Sequence, residues 1–166
     1  MSANTEPMTA ADPQGFAAML RENQAALARL ARHYAGADEW QDLQQEMHLQ
    51  LWRSFPAFDG RAQRSTWVYR VALNTALSHR RKPLREHQRL DPSMEPADPG
   101  SAGDAMAVLE TFLATLDPVQ RGVLLLDLEG LEREQIAEVL GLSPGAVAVR
   151  MTRLRQRFEA QFVGEQ

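Results

Sequence analysis

Between Gly145 and Phe158 the chain reads GAVAVRMTRLRQRF, with four arginines and no acid. An arginine side chain stays charged and carries a planar fork of donors. That fork can clamp a phosphate or bind a guanine edge bidentately. Arg150, Arg153 and Arg157 recur at i, i+3 and i+7, which places them on one helical face, and Arg155 lies beside them in the chain. Solvated helix faces usually mix signs, and this one does not. The chemistry it suggests is contact with a polyanion, DNA first. Residue type and spacing leave open which arginine reads a base and which holds a phosphate.

Two further groups of residues could carry chemistry. From Asp59 to Arg89 there are eight cations (Arg61, Arg64, Arg70, Arg80, Arg81, Lys82, Arg85 and Arg89) against two acids, Asp59 and Glu86. Such a series can follow a phosphate backbone and would make binding salt-dependent. Phe58, Asp59, Arg61 and Asn74 add a stacking ring and polar edges, the side-chain types that hold an unstacked base. Earlier, Asp42, Gln45, Glu46 and Leu49 share one helical face at i, i+3, i+4 and i+7. That strip is either a plain solvated face or an acidic surface, with an apolar centre, for a partner bearing arginines.

Enzyme chemistry finds no support in the residues. His33, His48, His79 and His87 show no metal-ligand spacing, there is no cysteine, and no glycine loop precedes a Lys-Ser/Thr pair. We therefore expect no catalytic residue, metal, cofactor or small-molecule substrate. The net charge of −4 argues against a uniformly basic coat, so any nucleic-acid contact must be local. No signal-like segment opens the chain and no apolar run reaches membrane-spanning length, so a cytoplasmic location is expected.

The elements that must position these residues are helical. Pro13 to Tyr34 places Phe16, Met19, Leu20, Leu27, Leu30 and Ala31 near one face, and Gly36 breaks the pattern. A second helix is predicted over Asp38 to Arg53, with the stripe Leu43, Met47 and Leu51. The segment SFPAFDGRAQR reads as a loop, after which Ser65 or Thr66 caps a helix running to about Lys82 and stopped by Pro83. Residues 84–103 lose all periodicity among prolines, glycines and acids and read as a flexible linker. Beyond it, Met106, Leu109, Phe112 and Leu113 mark an amphipathic helix, and Asp117-Pro118 starts another through Val123, Leu124 and Leu126. Ile136, Ala137 and Leu140 form a short helical stripe closed by Gly141, with Leu142 as a buried hinge. Ser143-Pro144 restarts the chain as an N-cap with proline at the first helical position. The next stripe is Val147, Met151, Leu154 and Phe158. Two short helices across a glycine turn form a helix-turn-helix. The expected fold is all-α: two small helical domains, 13–83 and 104–163, joined by the linker 84–103.

Taken together, the two halves resemble the extracytoplasmic-function (ECF) group of the bacterial sigma-70 family. Asp42-Leu43, Gln45-Glu46, Leu51-Trp52, Phe58-Asp59, Trp67, Asn74 and Arg80-Arg81 follow that family's region 2 pattern. Leu116 with Arg121, Gln135-Ile136-Ala137, Ser143-Pro144-Gly145 with Val147, and Arg150, Arg153 and Arg155 follow region 4. The matched pieces cover about two thirds of the chain in the family's order.

The resemblance implies an RNA polymerase sigma factor whose partners are core RNA polymerase, through its beta-prime clamp and beta flap, promoter DNA, and an anti-sigma factor. It implies that Asp42, Gln45, Glu46 and Leu49 dock on the clamp. Phe58, Asp59, Arg61, Arg64, Arg70, Asn74, Arg80 and Arg81 would bind the minus-10 element and help open it, with Trp67 mainly in the core. Ser143, Pro144, Gly145, Ala146, Ala148, Arg150, Arg153, Arg155 and Arg157 would meet the minus-35 element. The chain departs from the pattern at Ser78, where an acid is common, and at Ala146, Ala148 and Val149, where polar residues are usual. The last two remove polar reach from the leading edge. The rival readings are a stand-alone helix-turn-helix regulator with a helical N-terminal interaction module, and a helical interaction protein that makes no DNA contact.

Overall fold

The computed structural model describes residues 13–80 and 102–164, and everything described is helix, turn or loop. The chain divides into two compact units, 1–76 and 77–166, and each is treated on its own. Of the expected linker 84–103, residues 84–101 lie outside the described residues, as do Arg81 and Lys82, while Ala102 and Gly103 already belong to a helix.

The first unit begins with α1 (Pro13–Ser54), a long helix interrupted at Gly36, where φ is 75° and ψ −173°. That conformation is open essentially to glycine alone. The break predicted at Gly36 is thus a kink between two helical stretches. The Arg32 guanidinium lies 4.4 Å from the centre of the Trp40 ring, a cation–π contact across the kink. Leu43, Met47 and Leu51 are fully buried, as their i, i+4, i+8 spacing requires, and they join Met19, Leu27, Leu30 and Ala31 in the core. Leu20 is only half-buried.

A single 3-10 turn, Phe55–Ala57, leads into the loop before α2 (Arg64–Arg80). This helix starts one to two residues before the predicted caps. The Trp67 N–H donates to the Gln63 carbonyl at 3.1 Å, so Ser65 and Thr66 sit inside the first turn. Thr66 is only 2% exposed, packed inward and unable to stand outside the helix as its cap. Val68, Tyr69, Ala72, Leu73 and Ala76 give α2 its buried side.

The second unit holds α3 (Ala102–Ala114), α4 (Pro118–Leu128), α5 (Arg133–Leu140) and α6 (Pro144–Phe162). Its helix ends are set by local chemistry. Asp117 accepts from the Gln120 N–H at 2.8 Å, and the Gln120 side chain returns a contact to the Asp117 N–H at 3.3 Å. This capping box satisfies two donors at the start of α4. Phe112 sits under the end of α6, its ring 5.2 Å from Phe158 and 6.2 Å from Phe162.

The α3 stripe is shorter than predicted. Phe112 and Leu113 are buried and Leu109 partly so, but Met106, nearer the start of the helix, is 53% exposed. In α4 the buried neighbours of Val123 are Leu125 and Leu126, with Leu124 half-buried. In α5, Val139 is buried and Leu140 only partly.

Candidate nucleic-acid interface

Three tight devices aim α6. Gly141 ends α5 in the left-handed region (φ 68°, ψ 32°), and the Leu142 N–H returns to the Ala137 carbonyl at 2.9 Å. This is the glycine stop expected at a helix C-terminus. Leu142 itself is half-buried rather than buried, because the turn faces water on one side. Ser143 then caps α6, its Oγ accepting from the Ala146 N–H at 3.1 Å, with Pro144 at the first helical position. Val147 and Leu154 hold the helix down, leaving Ser143, Pro144, Gly145 and Val149 exposed and Ala146 and Ala148 partly so.

The four arginines of α6 do not form one surface. Arg153 and Arg155 are exposed, but Arg155 stands about 140° around the helix from Arg150. It lines a groove with Glu132, Arg133, Glu134 and Thr152, so adjacency in sequence concealed opposite flanks. The Arg157 guanidinium donates to the Thr115 carbonyl at 3.1 Å, 42 residues away. Its first task is to tie α6 to the turn after α3. An Nη of Arg150 reaches back to the Ala146 carbonyl at 3.4 Å.

Arg121 completes the brace. It is 6% exposed, with Nε donating to the Leu113 carbonyl at 3.1 Å and an Nη to the Leu116 carbonyl at 3.2 Å. Guanidinium groups at the carbonyl end of α3 suit its negative dipole end. Arg133, exposed at the start of α5, and Val149, Thr152 and Gln156 on the outward side of α6 were not among the predicted contacts. The i, i+3, i+7 spacing of the last three marks them as one exposed line.

In the first unit the candidate loop is held by rings. Phe16 packs edge-on against Trp52 at 5.0 Å and against Phe55 at 5.3 Å; Trp67 lies 6.2 Å from Phe55 and 5.1 Å from Phe58. Trp67 therefore buttresses the loop while remaining half-buried. Phe58 is partly covered by it. Beyond Phe58, Gly60 turns the chain at φ 76°. The Arg61 N–H donates to Asp59 Oδ1 at 3.0 Å, and Arg61 Nε lies 3.2 Å from Asp59 Oδ2. These two predicted residues thus pair with each other, at 90% and 59% side-chain exposure. So exposed a pair contributes about 1 kcal/mol at most, which makes it a shape device more than a source of stability.

Trp67, Arg70 and Asn74 follow at i, i+3 and i+7 on α2, with Asn74 exposed and Arg64 and Arg70 half-buried. Arg80 ends α2, and Arg81 lies outside the described residues. On α1, Asp42 and Gln45 are exposed, Glu46 is half-buried, and Leu49 is 45% exposed. Trp52, 51% exposed, extends this face from Gln45 at i+7 and was not foreseen as part of it. Among the described residues no group of His, Asp and Glu could hold a metal ion. No helix among them is long and apolar enough to cross a membrane.

Comparison with known proteins matches both units to parts of one family. Residues 19–86 match the model of sigma-70 region 2, and residues 106–158 match that of sigma-70 region 4. The ECF RNA polymerase sigma-E factor of Haemophilus influenzae is 26% identical over 174 residues, which cover 95% of this chain and 92% of that protein. The ECF RNA polymerase sigma factor SigG of Mycobacterium tuberculosis is 30% identical over 164 residues, 80% of this chain but only 44% of SigG. Two solved structures share the fold. CnrH, in complex with the cytosolic domain of CnrY, has TM-score 0.71 and 23% identity, covering 94% of this chain and 92% of CnrH. RpoE, in complex with the anti-sigma factor NepR from Bartonella quintana, has TM-score 0.73 and 22% identity, covering 92% and 99%.

Proposed function

The chain belongs to the ECF group of the sigma-70 family of RNA polymerase sigma factors, and from that premise we propose how its surfaces divide the work. Its function is to bind core RNA polymerase and direct it to promoters. We assign region 2 to residues 13–83, a linker to 84–103, and region 4 to 104–163.

The strip Asp42, Gln45, Glu46 and Leu49 docks on the polymerase clamp, its exposed apolar centre flanked by acids. The loop carrying Phe58, Asp59 and Arg61, with Arg64, Arg70 and Asn74 on α2 and Arg80 and Arg81 at its end, takes the minus-10 strand. The start of α6 meets the minus-35 element, with Arg150, Arg153, Arg155 and, less fully, Arg157 near phosphates or bases. A beta-flap contact on region 4 and an anti-sigma partner complete the proposal.

The observation that carries it is the exposure of Asp59, Arg61 and Asn74 around a loop pinned by Trp67, in the same chain as a capped, outward-facing α6. A stand-alone regulator has a use for the second feature and none for the first.

Run-off transcription with core polymerase tests the whole: promoter-specific transcripts are expected only when the chain is added. DNA binding with no effect on core polymerase would instead favour the regulator. Within that assay, Asp59→Ala with Asn74→Ala is expected to reduce permanganate reactivity of the melted strand more than closed-complex binding. Lysine at Asp42 and Glu46 is expected to weaken core binding while the fold is kept.

A further inference from the structure

The outward edge of α6 is small and rich in methyl groups where a reading helix would ordinarily be polar. Opposite the buried stripe of Val147 and Leu154 stand Gly145, Val149 and Thr152, with Ala148 on the flank. Val149 is 49% exposed. A β-branched apolar residue there is a mediocre helix former and contributes little packing, so the fold gains little from it.

Over the first turns of α6 the polar groups near this edge are engaged with the helix itself, and the next polar side chain on the line is Gln156, one turn beyond Thr152. Thr152 Oγ1 donates to the Ala148 carbonyl at 3.0 Å, Ser143 Oγ serves the cap, and Arg150 reaches back to Ala146. For Thr152 this spends the hydroxyl hydrogen and leaves the methyl group and an acceptor oxygen as contact surface.

Gly145 points the same way. A Cβ added there would meet nothing nearer than Ser143 Oγ at 4.0 Å, and no left-handed φ requires glycine. Alanine would be the better helix former, so the missing side chain serves no packing need inside this unit. It does let the first turn of α6 come closer to whatever it faces.

We propose that α6 reads thymine C5-methyl groups in the major groove through Ala148, Val149 and Thr152, with Gly145 allowing the first turn to sit close against the base edges. In the major groove only a thymine offers a methyl, and apolar side chains are its natural contacts. The arginines then supply phosphate contacts and register on the two flanks. This rests on the assignment of α6 to the minus-35 element.

The test uses holoenzyme assembled from the full chain and core polymerase. Minus-35 elements are selected from a randomised duplex, and each selected thymine is replaced in turn by deoxyuridine, which removes only the methyl. Thymine enrichment is expected at two or more positions, with affinity falling about fourfold for each methyl lost. In the Val149→Ala holoenzyme one of those positions should become indifferent to deoxyuridine. Gly145→Ala should fold at least as stably, by thermal melting, yet bind the selected element more weakly. Selected thymines at which deoxyuridine changes nothing would overturn methyl reading and leave minus-35 recognition standing. Loss of all sequence preference at minus-35 would overturn both. A Val149→Ala chain with every DNA response intact but a lost protein contact would reassign this edge to a partner and also overturn the proposal.

Discussion

The loop of the first unit and α6 of the second, the two surfaces proposed to meet nucleic acid, are held by different means. The loop is positioned by side chains on side chains: Phe58 against Trp67, Trp67 near Phe55, Phe55 against Phe16. Helix α6 is positioned by backbone groups, through the left-handed Gly141, the Ser143 cap, and arginines donating to carbonyls. Ring packing can be loosened by degrees, because each contact is weak and many neighbours share it. A cap or a buried guanidinium is made or lost as a unit. The surface proposed to take up a melted strand and the one proposed to read a rigid duplex therefore rest on foundations suited to each task.

The strongest way to break this contrast is Arg121→Met. It takes the guanidinium from two carbonyls, of which Leu113 keeps the Leu116 N–H and Leu116 loses its donor, and stability of the second unit is expected to fall by about 2 kcal/mol in urea unfolding. The first unit should keep its own transition. A loss below the error of the measurement would show that the brace is dispensable.

Trp67→Ala comes next, at about 2 kcal/mol for the first unit, less than for a fully buried ring. Its larger effect should be functional: promoter opening should fall, by permanganate footprinting, while minus-35 binding by the chain is unchanged. If opening survives, the rings are packing and nothing more.

Ser143→Ala removes a single cap bond and should cost about 1 kcal/mol in thermal unfolding of the second unit. Asparagine at this position should restore most of it, since its side chain can accept the same bond.

The smallest effect is electrostatic and sits in the first unit. His48 has its pKa lowered from 6.5 by burial, and its Nε2 is enclosed without a hydrogen-bond partner. The folded state favours the neutral ring. The unfolded chain thus takes up more protons, and stability is full above the unfolded value near 6.5 and lost as pH falls below it. His48→Phe should flatten that dependence for the first unit alone; an unchanged pH profile would sever the link to His48.

What could be read in advance tracks how far apart the partners lie in the chain. Gly36, Gly141, Ser143-Pro144 and Asp117-Pro118 announced their roles because a kink or cap needs only residues within a turn. Leu43, Met47 and Leu51 did so because burial follows helical period. The Arg157 bond to Thr115 had no local sign, and neither did the ring chain that seats Phe58. Arg155 was misplaced for a simpler reason: closeness in sequence is not closeness around a helix. Met106 follows the apolar period of α3 yet is exposed, six residues before the Phe112 that packs on α6.

The Arg157–Thr115 bond also changes how the charge of this helix is to be counted. Each phosphate that a protein neutralises on duplex DNA contributes about 0.9 to the slope of log affinity against log salt. A guanidinium bonded to a carbonyl keeps its charge, but it is held at the turn after α3 and meets only a phosphate that passes there. Titrating salt against minus-35 binding should therefore give an exponent about one unit shallower than four arginines would imply. On the proposed reading, the bond trades ionic reach for a fixed α6.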